Sequence, residues 1–215
     1  MSLAVITMVF AVTVAIPLGV IAAQKAGTWI DHAIMGVAVL AFSAPVFLVG
    51  HGLVYRFARV WRILPVQGHT PLSEDFTSWW RHLVLPAIAL GLVFAALLAR
   101  MTRGTILDVL HEDYIRTARA KGLAPRTVLL RHALRNAAVP IVTTVGLGIA
   151  PLIGGVVVTE SVFAIPGIGR LTIEAVTQRD YPVIQGVILI ASMAYVLVNL
   201  AIDVAYAFLD PRIRY

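Results

Sequence analysis

The sequence predicts an all-α membrane protein, built as a bundle of about five transmembrane helices with one prominent loop on a single face. Of its 215 residues, 60% are hydrophobic and only 13% are charged, whereas about a quarter of the residues in a soluble domain are charged. The mean hydropathy is +0.90. Long segments without Asp, Glu, Lys or Arg recur along the chain. We therefore expect lipid to be the main solvent and residues 1–215 to form a single transmembrane domain.

Five segments are long enough to cross about 30 Å of hydrocarbon at about 1.5 Å per helical residue. Prolines and glycines inside them are tolerated where neighbouring helices satisfy the backbone, with local kinks as the expected result. The first segment lacks the basic start of a secretory signal, so we expect it to be retained. The five predicted spans are Leu3 to Ala23, Ala33 to Val54, Leu83 to Ala99, Ala137 to Thr159 and Tyr181 to Ile202.

The distribution of basic residues predicts the orientation, because cytoplasmic loops carry the excess of Lys and Arg. Eleven of the 17 basic residues fall on one side, namely Lys25, Arg100, Arg103, Arg116, Arg119, Lys121, Arg126, Arg131, Arg135, Arg212 and Arg214. The other side holds Arg56, Arg59, Arg62, Arg81, Arg170 and Arg179. We therefore predict an N-terminus outside the cell and Tyr215 in the cytoplasm. The net charge of +6 lies in loops between apolar spans, which favours membrane anchoring over nucleic-acid binding.

The prominent loop covers about residues 104–136, between the third and fourth spans. Its first part has an apolar stripe at helical spacing, formed by Leu107, Leu110, Tyr114 and Ala118. Gly122 is suited to end that helix in a left-handed conformation, and Pro125 to begin a second one. The stripe of the second helix is Leu130, Ala133, Leu134 and Ala137. The pattern therefore predicts two short helices that meet at a corner.

Periodicity and charge leave two interpretations of this corner open. The small residues Thr117, Ala118 and Ala120 would allow another protein to approach closely, and the cations around them favour an acidic partner surface. Alternatively, the loop is a basic segment that lies on anionic lipid headgroups.

Several motifs resemble those of a known family. RTARAKG at Arg116 to Gly122 and RHALRNAAVP at Arg131 to Pro140 resemble the cytoplasmic EAA-type loop of permease subunits of binding-protein-dependent ABC importers. Similar stretches are FSAPVFLVG at Phe42 to Gly50, VFAIPGIGRL at Val162 to Leu171 and RDYPVIQG at Arg179 to Gly186. The likeness is to the dipeptide, oligopeptide and nickel group, in its dipeptide-permease B form. Members of that group normally have six spans, so we expect the family's first span to be the absent one.

The resemblance implies the type I ABC-importer permease fold and a role as half of a translocation pathway. It implies four kinds of partner in a prokaryotic inner membrane: a second homologous permease, two ATP-binding cassette ATPases, an extracytoplasmic solute-binding protein and the lipid bilayer. ATP and magnesium would bind to the ATPases, so this chain would hold no cofactor and would not be an enzyme. Dipeptides, oligopeptides, nickel chelates and glutathione are the solutes it suggests. The family's ATPase-coupling role carries over to Arg116, Thr117, Ala118, Arg119, Ala120, Lys121, Gly122 and Leu123.

No motif in the chain predicts catalysis. A phosphate-binding loop that ends in Lys-Ser/Thr is absent, and PGIG at Pro166 to Gly169 lacks both the lysine and a preceding strand. We expect PGIG to turn an extracytoplasmic segment back towards the membrane. The chain has no cysteine and no HExxH motif, which excludes thiol catalysis, disulfides and the common zinc-hydrolase site.

An autonomous secondary transporter or channel is the alternative function. It would need ionisable residues at mid-membrane for its coupling ions, and the predicted spans contain no Asp, Glu, Lys or Arg. His51, in the second span, either lines a pathway or packs in the core, and packing is the commoner role. The segment from His51 to Trp80 is predicted to continue as an outer loop. Glu160, Glu174 and Asp180 would either face a binding protein or simply keep a loop soluble.

Overall fold

The computed structural model describes residues 2–65, 68 and 70–209, so Arg212, Arg214 and Tyr215 lie outside the described part. Throughout that part the regular secondary structure is helical. Two π-helical stretches, Val54–Val60 and Val128–Ala133, extend the helices that they adjoin. The α-helices are α1 (Ser2–Gln24), α2 (Trp29–Ser43), α3 (Val46–Leu53), α4 (Phe76–Leu110), α5 (Asp113–Ala120), α6 (Pro125–Thr127), α7 (Leu134–Leu147), α8 (Ile149–Phe163), α9 (Ile168–Gln178) and α10 (Tyr181–Leu209).

Three helices are each long and apolar enough to cross a membrane, and two bent helix pairs raise that number to five within the described residues. The three are α1, α4 and the Tyr181–Ala201 part of α10. The bent pairs are Trp29–Ser43 with Val46–Val60, at 102°, and Gly155–Phe163 with Ile168–Gln178, at 87°. The predicted all-α membrane bundle is therefore confirmed, and the first, third and fifth predicted spans lie within single helices.

The second predicted span, Ala33 to Val54, is not one straight helix. Pro45 has no N–H to donate and disfavours a helical conformation at the residue before it. Accordingly Ala44 is extended, with ψ 126°, and α2 ends there. The helix that follows continues to Val60, so the prediction of an outer loop from His51 was wrong for its first ten residues.

The fourth predicted span, Ala137 to Thr159, is divided between α7 and α8 at Gly148. The Gly148 amide still donates to the carbonyl of Thr144 at 3.0 Å. A Cβ atom added at Gly148 would collide with the ring of Phe94 on α4. The junction therefore packs backbone directly against an aromatic ring, which only glycine allows at this position.

The central element is α4, since 67% of its most apolar stretch is buried, against 22% for α1 and 6% for α10. It runs parallel to α1: Leu3 shares a cluster with Leu83, and Gly19 meets Thr102 towards the other end. Small side chains make this approach possible, since a Cβ at Gly19 would lie 2.6 Å from that of Thr102. Such small-residue contacts are the usual way in which membrane helices pack closely.

An ion pair ties the turn between α1 and α2 to α4. Nε and Nη2 of Arg103 donate to the two carboxylate oxygens of Asp31 at 2.6 and 2.7 Å. The Gly27 amide donates to the same carboxylate at 3.0 Å, and Asp31 is only 2% exposed. This pairing, which the sequence analysis did not identify, braces the part of α4 that leads into the predicted coupling loop.

Candidate functional site

The predicted coupling segment is a separate short helix. We expected one helix from Leu107 onwards, but α4 ends at Leu110 and α5 begins at Asp113. Between them, the His111 and Glu112 amides donate to Asp108 and Val109 in a closing turn. The expectation of a continuous helix was therefore wrong, because the break at His111 separates Tyr114 and Ala118 from the other two residues of the stripe.

The predicted end of this helix at Gly122 is confirmed. Gly122 has φ +78°, and its amide donates to the carbonyl of Arg119 at 2.9 Å. The next amide, that of Leu123, donates to the carbonyl of Ala118 at 3.3 Å. This pair of hydrogen bonds is a Schellman motif, in which a left-handed residue closes the last helical turn.

Pro125 begins the second helix, as predicted. We use the name α5–α6 corner for residues 113–127, which the two helices and their connection form. The predicted stripe beyond it is partly wrong, because Leu130 is 56% exposed whereas Val128 and Leu129 are buried. These residues lie in a π-helical stretch, whose wider turn changes which side chains face the bundle compared with a regular α-helix.

A small apolar cluster holds α5 in place. Ile115, Ala118 and Val128 are buried together, with Leu110 packed beside them. The Asn136 side-chain amide also donates to the Tyr114 hydroxyl at 2.9 Å. Ala118 is thus covered by its own chain, so the expectation that its small size receives a partner is wrong for this residue.

The rest of the predicted coupling residues point away from the bundle. They are exposed in the described structure: Arg116, Thr117, Arg119, Ala120, Lys121, Gly122 and Leu123. Arg116 contacts Asp113 at 3.4 Å, and both side chains are exposed. Within the described part of the chain, Arg119 and Lys121 have no carboxylate at ion-pair distance. A Cβ at Gly122 would meet nothing within 4 Å. The corner therefore offers a cationic surface with an open backbone at its tip.

A second corner joins α8 to α9 at the opposite end of α4, where Phe163 packs against Leu83. We use the name α8–α9 corner for residues 160–170. Glu160 is only 6% exposed, and its carboxylate accepts a hydrogen bond from the Arg170 amide at 3.1 Å. A Cβ at Gly167 would collide with that carboxylate, and one at Gly169 would lie 2.5 Å from Cα of Val157.

The turn predicted at PGIG is thus confirmed, and the anion at the start of α9 is the chain's own Glu160. Glu160 does not face outwards as a binding-protein contact would require. Glu174 is half-exposed and pairs with Arg170 at 2.8 Å, and Asp180 accepts from the Val183 amide at 3.3 Å at the start of α10. Nowhere in the described residues do three His, Asp or Glu side chains come together as metal ligands would.

Comparison with known proteins assigns the family. Residues 15–215 match the family described as "Binding-protein-dependent transport system inner membrane component". The chain is 50% identical to the "Probable peptide ABC transporter permease protein y4tP" of Sinorhizobium fredii, with 100% of this chain and 68% of that protein covered. It is 42% identical to the dipeptide transport system permease protein DppB of Escherichia coli, over 100% and 70%. It is 44% identical to the glutathione transport system permease protein GsiC of Shigella flexneri, over 99% and 67%.

The fold agrees with these sequence relatives. A chain from inward-facing structures of the MetNI methionine ABC transporter superposes with a TM-score of 0.80, over 97% of this chain and 92% of that one. At 15% identity, this likeness shows a shared arrangement of helices and nothing about the solute. Taken with the match over residues 15–215, it leads to one conclusion: the chain belongs to the family of binding-protein-dependent transport system inner membrane components.

Proposed function

We propose that this chain is a permease subunit of an ATP-driven importer for peptides or related small solutes, and that it forms half of the translocation pathway beside a second homologous permease. The observation that carries the proposal is the exposed cationic α5–α6 corner in a member of this family. Relatives named for peptide, dipeptide and glutathione transport support the solute class. An extracytoplasmic binding protein delivers the solute, and two partner ATPases hydrolyse ATP with magnesium.

Family membership makes the chain a multi-pass inner-membrane component of a transport system, and we propose no catalytic role for it. In the proposed orientation the α5–α6 corner faces the cytoplasm and the α8–α9 corner the outside. The excess of basic residues on the side of residues 100–135 supports this orientation. The N-terminus of this chain then lies outside and its C-terminus in the cytoplasm.

In the coupling step, the α5–α6 corner sits in a groove of a partner ATPase. Arg116, Arg119 and Lys121 give it positive charge towards an acidic rim, while Ala120, Gly122 and Leu123 allow close contact. Movement of α5 reaches α4 through the apolar cluster of Ile115, Val128 and Leu110. ATP binding thereby biases an equilibrium between two states of the pathway, which the binding protein biases from the other side.

The test is uptake by the complete complex in proteoliposomes, with permeases, ATPases and binding protein present and a labelled dipeptide as solute. We expect uptake that requires ATP on the side of the membrane where the ATPases are bound, and that is lost when the ATPases are left out. Uptake driven by an ion gradient without the ATPases would contradict the proposal and support an autonomous carrier. Labelling of an α5 residue only from the outside would contradict the proposed orientation.

A further inference from the structure

The helix formed by α3 and the π-helical stretch Val54–Val60 packs only one of its faces against the chain. Gly50 and Ala58 are buried, and a Cβ at Gly50 would lie 3.3 Å from the Phe163 ring. The opposite face is exposed at every fourth position, as a row of Phe47, His51, Tyr55 and Arg59. Tyr55 is 63% exposed. We call His51, Tyr55 and Arg59 the polar row.

The polar row lies beside the apolar part of the bundle and not in a loop beyond its end. Val46 packs against the core cluster that contains Leu90 and Phe94 of α4. Ala58 packs with Leu83, nearer the start of α4. The segment therefore runs antiparallel to α4 beside its apolar part, and the polar row follows the same course.

Hydrocarbon is an unfavourable neighbour for this face. Ionisable side chains in membrane segments almost always face a bundle interior or a water-filled cavity. A long arginine near the end of a span can reach the headgroups, but His51 lies eight residues before Arg59, which is roughly 12 Å deeper at helical rise. The packing role considered for His51 does not apply either, because its ring is exposed and Nδ1 contacts the Phe47 carbonyl of its own helix at 2.8 Å.

The charges of this face are not balanced within the described chain. Arg59 has no carboxylate at ion-pair distance there, and Arg56 lies over the Trp61 ring at 4.7 Å. The π-helical geometry of Val54–Val60, with more residues per turn than an α-helix, helps to keep side chains four residues apart on one line. The result is a row of exposed polar side chains to which Arg59 gives a positive charge.

We infer that the polar row of His51, Tyr55 and Arg59 lines the translocation pathway and binds the carboxylate of a passing solute; this inference rests on the proposed function. The Arg59 guanidinium is the bidentate partner that a carboxylate prefers. The Tyr55 hydroxyl offers a further donor one turn deeper, and the exposed His51 ring lies one turn beyond it. Several modest sites in series let an anionic group move on, as conduction requires.

The first experiment compares two solutes in the reconstituted complex, a dipeptide with a free carboxylate and its C-terminal amide. We expect Arg59→Gln to lower uptake of the free acid about tenfold or more, since a hydrogen-bonded charge is lost, and uptake of the amide less than about twofold. Arg59→Lys keeps the charge but loses the bidentate geometry, so it should restore only part of the free-acid uptake. Arg62→Gln, three residues further on and off the polar row, is the control for charge loss. The same binding protein is used with every variant. Its own preference between the free acid and the amide therefore cancels when each variant is compared with the unsubstituted complex.

Equal losses for acid and amide in Arg59→Gln would overturn this inference while leaving the proposed function in place. Failure of the unsubstituted complex to take up either dipeptide with ATP would overturn the proposed function, and this inference with it.

The second experiment uses the absence of cysteine from the chain. His51→Cys and Tyr55→Cys are each treated with a charged, membrane-impermeant thiol reagent in the assembled complex. We expect both to react at least about tenfold faster than Val9→Cys on the apolar face of α1. The reason is that the reactive form of a thiol is the thiolate, which forms in contact with water and not in apolar surroundings. Addition of the dipeptide acid should slow the reaction of both. Reaction of all three at the same low rate would place the polar row in lipid and overturn the inference.

Discussion

The α5–α6 corner and the α8–α9 corner each join two helices at a sharp turn, but only the second has a buried carboxylate inside the turn. Each contains a left-handed residue followed by a proline, with Gly122 at φ +78° in one and Ala164 at φ 51° in the other. The α5–α6 corner is closed by its own backbone hydrogen bonds. The α8–α9 corner also has backbone hydrogen bonds, from the Ala164 and Ile165 amides to the Glu160 carbonyl. It adds the buried Glu160 carboxylate, which accepts from an amide ten residues further along the chain.

The α5–α6 corner therefore has a surface available to a partner protein, whereas the polar groups of the α8–α9 corner are already paired within the chain. Backbone closure leaves the side chains of the α5–α6 corner free to meet a partner. In the α8–α9 corner, a carboxylate occupies the start of α9, where an external anion would otherwise be attracted. We therefore expect substitutions in the α8–α9 corner to act on folding, and substitutions in the α5–α6 corner to act on coupling.

The largest effect should come from Glu160→Ala. This change leaves the Arg170 amide without its acceptor and opens a cavity beside two glycines, so we expect a loss of about 3 kcal/mol in the free energy of unfolding. The measurement is unfolding in mixed detergent micelles. Glu174→Ala, which removes a half-exposed pair, is the control and should cost at most about 0.5 kcal/mol. Similar losses in both variants would show that burial of Glu160 contributes little.

Gly167→Ala should be next, at about 2 kcal/mol, because its Cβ collides with the Glu160 carboxylate. A double-mutant cycle sharpens the test. In the Glu160→Ala background the collision is gone, so the added cost of Gly167→Ala should fall below about 1 kcal/mol. Strict additivity of the two changes would mean that the glycine is needed for some other reason.

Gly122→Ala should cost less, about 1 kcal/mol, because only the left-handed backbone opposes it and no neighbour lies within 4 Å. Gly122→Asn is the matched variant, since asparagine tolerates this conformation, and we expect it to unfold almost as the unsubstituted protein does. If both variants keep their fold, coupled ATP hydrolysis in the complex should still fall in each, because the tip has gained bulk. Full coupling in both would contradict close contact at this tip.

The smallest effect on stability is expected for Arg119→Gln combined with Lys121→Gln, within about 0.5 kcal/mol, since both side chains are exposed. The same pair should weaken binding of the ATPases and make it less dependent on salt. Binding is measured by titration of the purified ATPases at two ionic strengths. Unchanged binding and salt dependence would remove the electrostatic part of the coupling proposal. Arg126→Gln, beyond the tip, serves as the single-charge control.

Several features were predictable because their causes are local in the sequence. Apolar runs of span length, Gly122 as a helix end and Pro125 as a helix start follow from hydrophobicity and backbone chemistry within a few residues. The proline itself was a local signal for the bend at Pro45. The apolar run continues across it, however, so a single span was predicted where the structure has two helices. The sequence left two roles open for His51, since the face that it occupies depends on which side of α3 the bundle covers.

What the sequence determined by itself was the membrane as solvent, the helical elements, the α5–α6 corner and the family. Only the tertiary structure decided the burial of Ala118, the packing of Glu160 against Gly167, and the pairing of Asp31 with Arg103 across 72 residues. The physical reason is that these contacts join distant parts of the chain, and their energies depend on distances that no local pattern encodes. The exposed polar row belongs with them, because exposure is a property of the whole bundle.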